Sequence, residues 1–171
     1  MKHNALIPLL VTGAFMLMAG CGKSAEFKKM ESDLFASVSA MHDDGMSLMN
    51  RERDLSAQID DAIAGYDSMA AKFPKEFEGH SSDDLKAAKE KLAGAAASMK
   101  EWMAGMKPYD PAMDHAEVMA QLTKAKDGIA KVKNEFQDAF SSAAVALEAH
   151  KAFAEEITAK LAKTAKKVAR K

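Results

Sequence analysis

Residues 26–73 read EFKKMESDLFASVSAMHDDGMSLMNRERDLSAQIDDAIAGYDSMAAKF, without a proline and with glycine only at Gly45 and Gly65. Phe27, Leu34, Met41, Leu48, Leu55, Ala62 and Met69 recur every seven residues, and Val38, Ile59, Tyr66 and Phe73 stand four after members of that line. An apolar stripe of this period predicts an amphipathic helix of coiled-coil type over 26–73. Pro74 stops it, and Lys75 to Ser82 forms a polar connection containing Gly79.

Working outward, Ser82-Asp83-Asp84 is a helix start with acidic residues in its first turn. The segment it opens, 83–106, carries Leu85, Leu92, Met99 and Met106 at seven-residue spacing, with Ala88, Ala95 and Trp102 beside them. Pro108 and Pro111 break it. Asp114 then caps a third helix, with Glu117 placed to complete a capping box. Leu122, Ile129, Phe136, Ala143, His150 and Ile157 hold one line of that helix, supported by Val118, Val132, Ala139 and Phe153. It is expected over 114–150, with a basic continuation through 151–171. The expected fold class is all-α: an elongated antiparallel three-helix bundle with coiled-coil-like packing over 26–150. Composition agrees: 13 Met and 4 Pro among 171 residues, rich in Ala and charged side chains, favour helix over sheet.

The first twenty residues have another character. Met1-Lys2-His3-Asn4 is a short basic start, and Ala5 to Ala19 is uncharged and too short to span a bilayer, which takes roughly 20 apolar residues. Residues 1–20 are therefore expected to be a cleaved signal peptide. The run ends Leu17-Met18-Ala19-Gly20-Cys21, and this resembles the lipobox of bacterial lipoproteins, with Met18 where Leu is usual. The resemblance implies cleavage after Gly20, diacylation (palmitate-type chains) of Cys21, and a lipidated tether over 21–25. Two or more chains give stable anchoring, since one alone is marginal. In that family Gly22, rather than Asp, favours the outer membrane. The expected address is the cell envelope, lipid-anchored, with the body in the periplasm.

Signal cleavage leaves ten methionines. A tight hairpin closing between Phe73 and Asp83 would set Met49 level with Met106, and Met113, His115 and Met119 level with Met41 to Met49. His42, Met46 and Met49 follow the spacing i, i+4, i+7, as do Met99, Met103 and Met106. This pattern resembles a group of small methionine-rich helical lipoproteins from Bacteroidota-like bacteria, a likeness that brings no activity with it. Three readings stay open, one of them a sacrificial role through reversible oxidation of methionine to its sulfoxide. Thioether and imidazole ligands suit copper(I) or silver(I), making His42, Met46, Met49, Met99, Met103 and Met106 a candidate soft-metal site with Trp102 over the cation. Alternatively, adaptable Met side chains fill a core widened where three helices meet.

Charge is split along the chain. The formal net charge is −1, yet residues 22–150 hold 16 basic and 23 acidic side chains and residues 151–171 hold seven basic and two. Lys160, Lys163, Lys166, Lys167, Arg170 and Lys171 are candidate contacts to an anionic surface such as lipid headgroups or peptidoglycan. The ending Ala169-Arg170-Lys171 resembles the major outer-membrane (Braun) lipoprotein, whose terminal Lys is linked to peptidoglycan. The near balance of charge excludes a strongly basic nucleic-acid binder. One Cys excludes an internal disulfide and multi-Cys metal sites. Neither a Gly-rich phosphate loop nor a nucleophile with a spaced base occurs, so no catalytic residues and no cofactor beyond the lipid are expected. The sequence thus points to a non-enzymatic envelope spacer or interaction module, with self-association open to its coiled-coil stripes and soft-metal binding as the alternative.

Overall fold

The computed structural model describes residues 24–110 and 112–168, which form three helices packed against one another, with no strand among the described residues. Helix α1 runs Ala25–Lys72, α2 Asp83–Gly105 and α3 His115–Val168. Three of the boundaries have a visible local cause. The Ser24 hydroxyl accepts the Phe27 N–H at 3.2 Å, and Asp114 Oδ1 accepts the Ala116 N–H at 2.8 Å, so two helices open on side-chain caps. Pro74 closes α1, its last turn ending with the Phe73 N–H on the Met69 carbonyl.

Each helix is antiparallel to the next in sequence, so α1 and α3 run the same way. Their shared register is marked by His115 against Glu31 at one end, Lys133 against Asp44 at 2.9 Å, and His150 against Tyr66 at the other. At 1.5 Å per residue the helices are about 72, 35 and 81 Å long. The middle one therefore spans only half the length of its neighbours.

The main core lies where all three helices overlap. Ile59, Leu92, Met99, Ile129, Phe136 and Ala143 are fully enclosed there, each of the larger ones contributing roughly 1.5–3 kcal/mol on burial. On α1 the buried seam runs Glu31, Val38, Gly45, Ile59 and Tyr66. The line expected to lead, from Leu34 to Met69, flanks it half-buried, and Phe27 is exposed. Gly45 belongs to that seam because of what faces it: a Cβ there would stand 2.3 Å from the Met99 methyl carbon. Gly65, by contrast, faces open space.

A second, smaller core closes the far end. Phe77, from the connection 73–82, lies edge-on to Tyr66 at 5.0 Å and to Phe153 at 5.1 Å, over Ile157. Gly79, at φ +79, permits the tight turn that follows. This inward fold of the connection alters the hairpin register expected from a tight turn. The chain doubles back along α1 before α2 starts, which sets Met99 opposite Gly45 and Trp102 beside His42. Met106 consequently shares walls with Phe35 and Val38 rather than with Met49. Met113 and His115 likewise lie toward Phe27–Val38, not at the level of Met41 to Met49.

Gly65→Ala should raise unfolding free energy by about 1 kcal/mol, the helix-propensity gain at a site without steric cost. Gly45→Leu should lower it by roughly 1–3 kcal/mol by overpacking Met99; denaturant titration of both variants measures the contrast. Burial holds the His150 imidazole below its usual pKa of 6.5. The unfolded chain therefore binds this proton more readily, and stability should fall as pH drops from about 7 through that value toward 5. His150→Leu should flatten that part of the loss in thermal melts at pH 7 and pH 5.

Candidate functional site

The opposite end of the bundle concentrates the unusual chemistry. Beyond Gly105, α1 and α3 continue side by side without a third helix, and the connection 106–114 crosses the gap. Glu31 lies on the inward seam of α1 with no exposure to solvent. Its carboxylate accepts the Tyr109 hydroxyl at 2.9 Å and meets His115 Nδ1 at 2.9 Å. A buried carboxylate is costly without such partners, so the pair fastens the connection and the start of α3 to α1. Aromatic contacts reinforce both bonds: Phe27 stacks on His115 with ring centres 4.0 Å apart, and Phe35 packs on Tyr109 at 5.4 Å.

One turn before α2 ends, Trp102 sets the floor of this region. Its indole N–H donates to the Ala125 carbonyl at 2.9 Å. The ring lies on Gly128, where a Cβ would stand 2.7 Å from Trp102 Cδ1. His42 stacks on Trp102 with ring centres 5.9 Å apart, and its Nδ1 is 3.3 Å from Asp43 Oδ1.

Between this floor and the connection lies a cavity of about 380 Å³. Phe35 and Val38 from α1, Trp102 from α2, Met106 just beyond its end, and Val118 and Leu122 from α3 give it an apolar wall. Gln121 lies inside it, and Lys107, Asp110 and Lys124 stand around it. Its volume falls within the roughly 300–1,000 Å³ common for small-molecule sites.

The six candidate metal ligands occupy different surroundings. Met99 is 0 % exposed, inside the main core. Met49 and Met103 pack half-buried against that core, and His42 is half-buried on Trp102. Met46 and Met106 are exposed, at 41 and 38 %. Met99 has a clear packing task, its methyl group filling the hollow left by Gly45. Among the described residues, no three His, Cys, Asp or Glu side chains converge as metal ligands.

The basic residues divide as well. Lys160, Lys163, Lys166 and Lys167 are exposed on the last turns of α3. Lys160 pairs with Glu156 at 2.6 Å and holds that carboxyl below its ordinary pKa. Cys21, Gly22, Arg170 and Lys171, with the signal and lipidation readings that rest on residues 1–23, lie outside the described residues. No helix among the described residues is long and apolar enough to cross a membrane.

Residue-type reasoning missed Glu31, Tyr109 and the cavity. The one available signal was positional: Glu31 stands seven before Val38, on a line that continues through Gly45 to Ile59. No protein-family model matches the chain, and no curated protein or solved structure is significantly similar to it.

Tyr109→Phe tests the clasp. Loss of a hydrogen bond to a buried carboxylate should cost about 1.5–3 kcal/mol of unfolding free energy, read by denaturant titration. Hydrogen exchange should quicken at residues 106–118 while the three-helix middle stays protected.

Proposed function

We propose that the chain is a non-enzymatic, lipid-anchored helical spacer of the bacterial cell envelope. It is held to the membrane, with the outer membrane favoured, through Cys21, and meets an anionic partner such as peptidoglycan or another envelope protein through the basic end of α3. The observation that carries this reading is the polarity of the bundle. Helix α1 begins at Ala25, four residues after Cys21, and α3, running the same way, ends in exposed lysines. The two features stand roughly 90 Å apart at 1.5 Å per helical residue.

Surface chemistry supports the same orientation. Of the exposed large apolar side chains Phe27, Met30, Phe35, Met46, Met106 and Val145, all but Val145 lie toward the end where α1 begins. An interfacial membrane region accepts such side chains, while water disfavours them. At the other end, residues 162–167 are uniformly exposed and carry Lys163, Lys166 and Lys167. Exposed lysines suit contact with an anionic polymer.

The test is made in cells that process lipoproteins. Wild-type protein should incorporate labelled palmitate and sediment with membranes, whereas Cys21→Ala should be unlabelled and absent from the membrane pellet. Unlabelled wild-type protein overturns the anchor. For the other end, protein bound to purified peptidoglycan should be released by salt, and reversal of Lys163, Lys166 and Lys167 to Glu should abolish retention. Equal retention of that variant excludes the basic end as the contact.

A further inference from the structure

We propose that the cavity under the α2–α3 connection is a binding site for a long-chain fatty acid, the acyl chain lying on Trp102 and the carboxylate meeting Lys107 and Lys124. The site arises from a shortage of protein. Helix α2 ends at Gly105, while α1 and α3 go on beside each other, and the connection roofs the gap without filling it. Much of the lining is small or apolar: Gly105 and Gly128 offer no side chain, and Phe35, Val38, Leu122 and Trp102 offer hydrocarbon and ring surface. Such a wall binds by excluding water.

The charges around it select the head group. Lys107 and Lys124 both border the cavity, and neither pairs with a carboxylate among the described residues. Asp110 also borders the cavity and keeps its negative charge, its Oδ1 accepting the Ala112 N–H at 2.8 Å, so the two lysines leave the rim with a net positive charge. Gln121 adds an amide, which lies 3.7 Å from the Met113 sulfur. Two ammonium groups beside an apolar slot complement a single carboxylate on a hydrocarbon chain. A cavity of about 380 Å³ admits one such chain and is too small for a partner helix, whose diameter with side chains is about 10–12 Å. The floor is rigid, because the Trp102 N–H is tied to the Ala125 carbonyl and its ring lies on Gly128.

Trp102 is the only tryptophan of the chain, so its fluorescence reports the cavity directly. The experiment uses full chain carrying Cys21→Ser, delipidated and titrated with dibrominated stearic acid as quencher. The expected result is saturable quenching with one acid per chain. Gly105→Leu should abolish it, because Gly105 lines the cavity and a Cβ there meets nothing within 4 Å that would resist the added side chain. That change also favours helix, and an unchanged circular dichroism spectrum certifies the fold. Lys107→Glu combined with Lys124→Glu should weaken binding about tenfold, and the methyl ester of the acid should bind wild type as weakly as the acid binds that double variant. Absence of saturable quenching, or quenching unaffected by Gly105→Leu, overturns the site. Equal affinity for acid and ester overturns the fatty-acid assignment. If Cys21→Ser protein is quenched and protein bearing Cys21 is not, the occupant is the chain's own acyl group and the proposal fails in that form. The cavity assignment does not depend on the anchor, since unmodified Cys21 would leave both proteins equally quenched.

Discussion

A 23-residue helix packed between helices of 48 and 54 residues is the constraint from which the rest of the molecule follows. Three helices can close a core with ordinary apolar side chains only where all three are present. Beyond each end of α2, two parallel helices must bury their facing seams against something else. At one end the connection 73–82 turns inward and supplies Phe77 to Tyr66, Phe153 and Ile157. At the other the connection contains two prolines and supplies Tyr109, held by Glu31. The first end is filled with hydrocarbon and closes. The second is tied by polar bonds at its margin and keeps a hollow behind them.

Within the overlap, register is set by paired small and large residues more than by the heptad itself. A heptad stripe tolerates sliding by seven residues, since each step meets a similar surface. Gly45 against Met99 and Gly128 against Trp102 break that degeneracy, because the bulky partner fits only where the facing Cβ is missing. Ion pairs between Asp44 and Lys133 and between Asp60 and Lys89 agree with the same alignment. As exposed pairs they add at most about 1 kcal/mol each. Packing decides the register, and charge conforms to it.

This distinction explains what could be read from the sequence. Helix ends were legible because their causes are local: Pro74, Pro108 and Asp114 act on neighbouring backbone. The face of each helix was legible to within one stripe. Which stripe of α1 leads was not, since the buried seam passes through Glu31 and Gly45, the two residue types that hydrophobic counting discards. The hairpin register was hidden for a similar reason. It depends on a single aromatic, Phe77, inside a connection otherwise polar from Lys75 to Ser82. The expected gathering of methionines holds only in part: Met99 and Met103 stay with Met41 and Met49 about the main core, while Met106 and Met113 lie with Phe35 and Val38. The cavity had no sequence signature at all, because its walls come from three helices and a connection that no spacing rule links.

The two ends of the rod now differ in kind, and the difference is built from topology. Because α2 returns the chain to its starting end, α3 must begin beside the start of α1 and carry its surplus length past the opposite end. The apolar exposed side chains, the polar clasp and the cavity gather toward the end where α1 and α3 both begin, while the surplus turns of α3 bear exposed lysines. A longer α2 would fill the hollow and a shorter α3 would remove the overhang. Neither change would disturb the three-helix middle, which holds most of the buried apolar surface. The middle therefore serves as a rigid separator, and each end is free to carry its own chemistry. An apolar end can keep to hydrocarbon and a basic end to anions only if neither can fold back on the other, and parallel helices on a shared register forbid that.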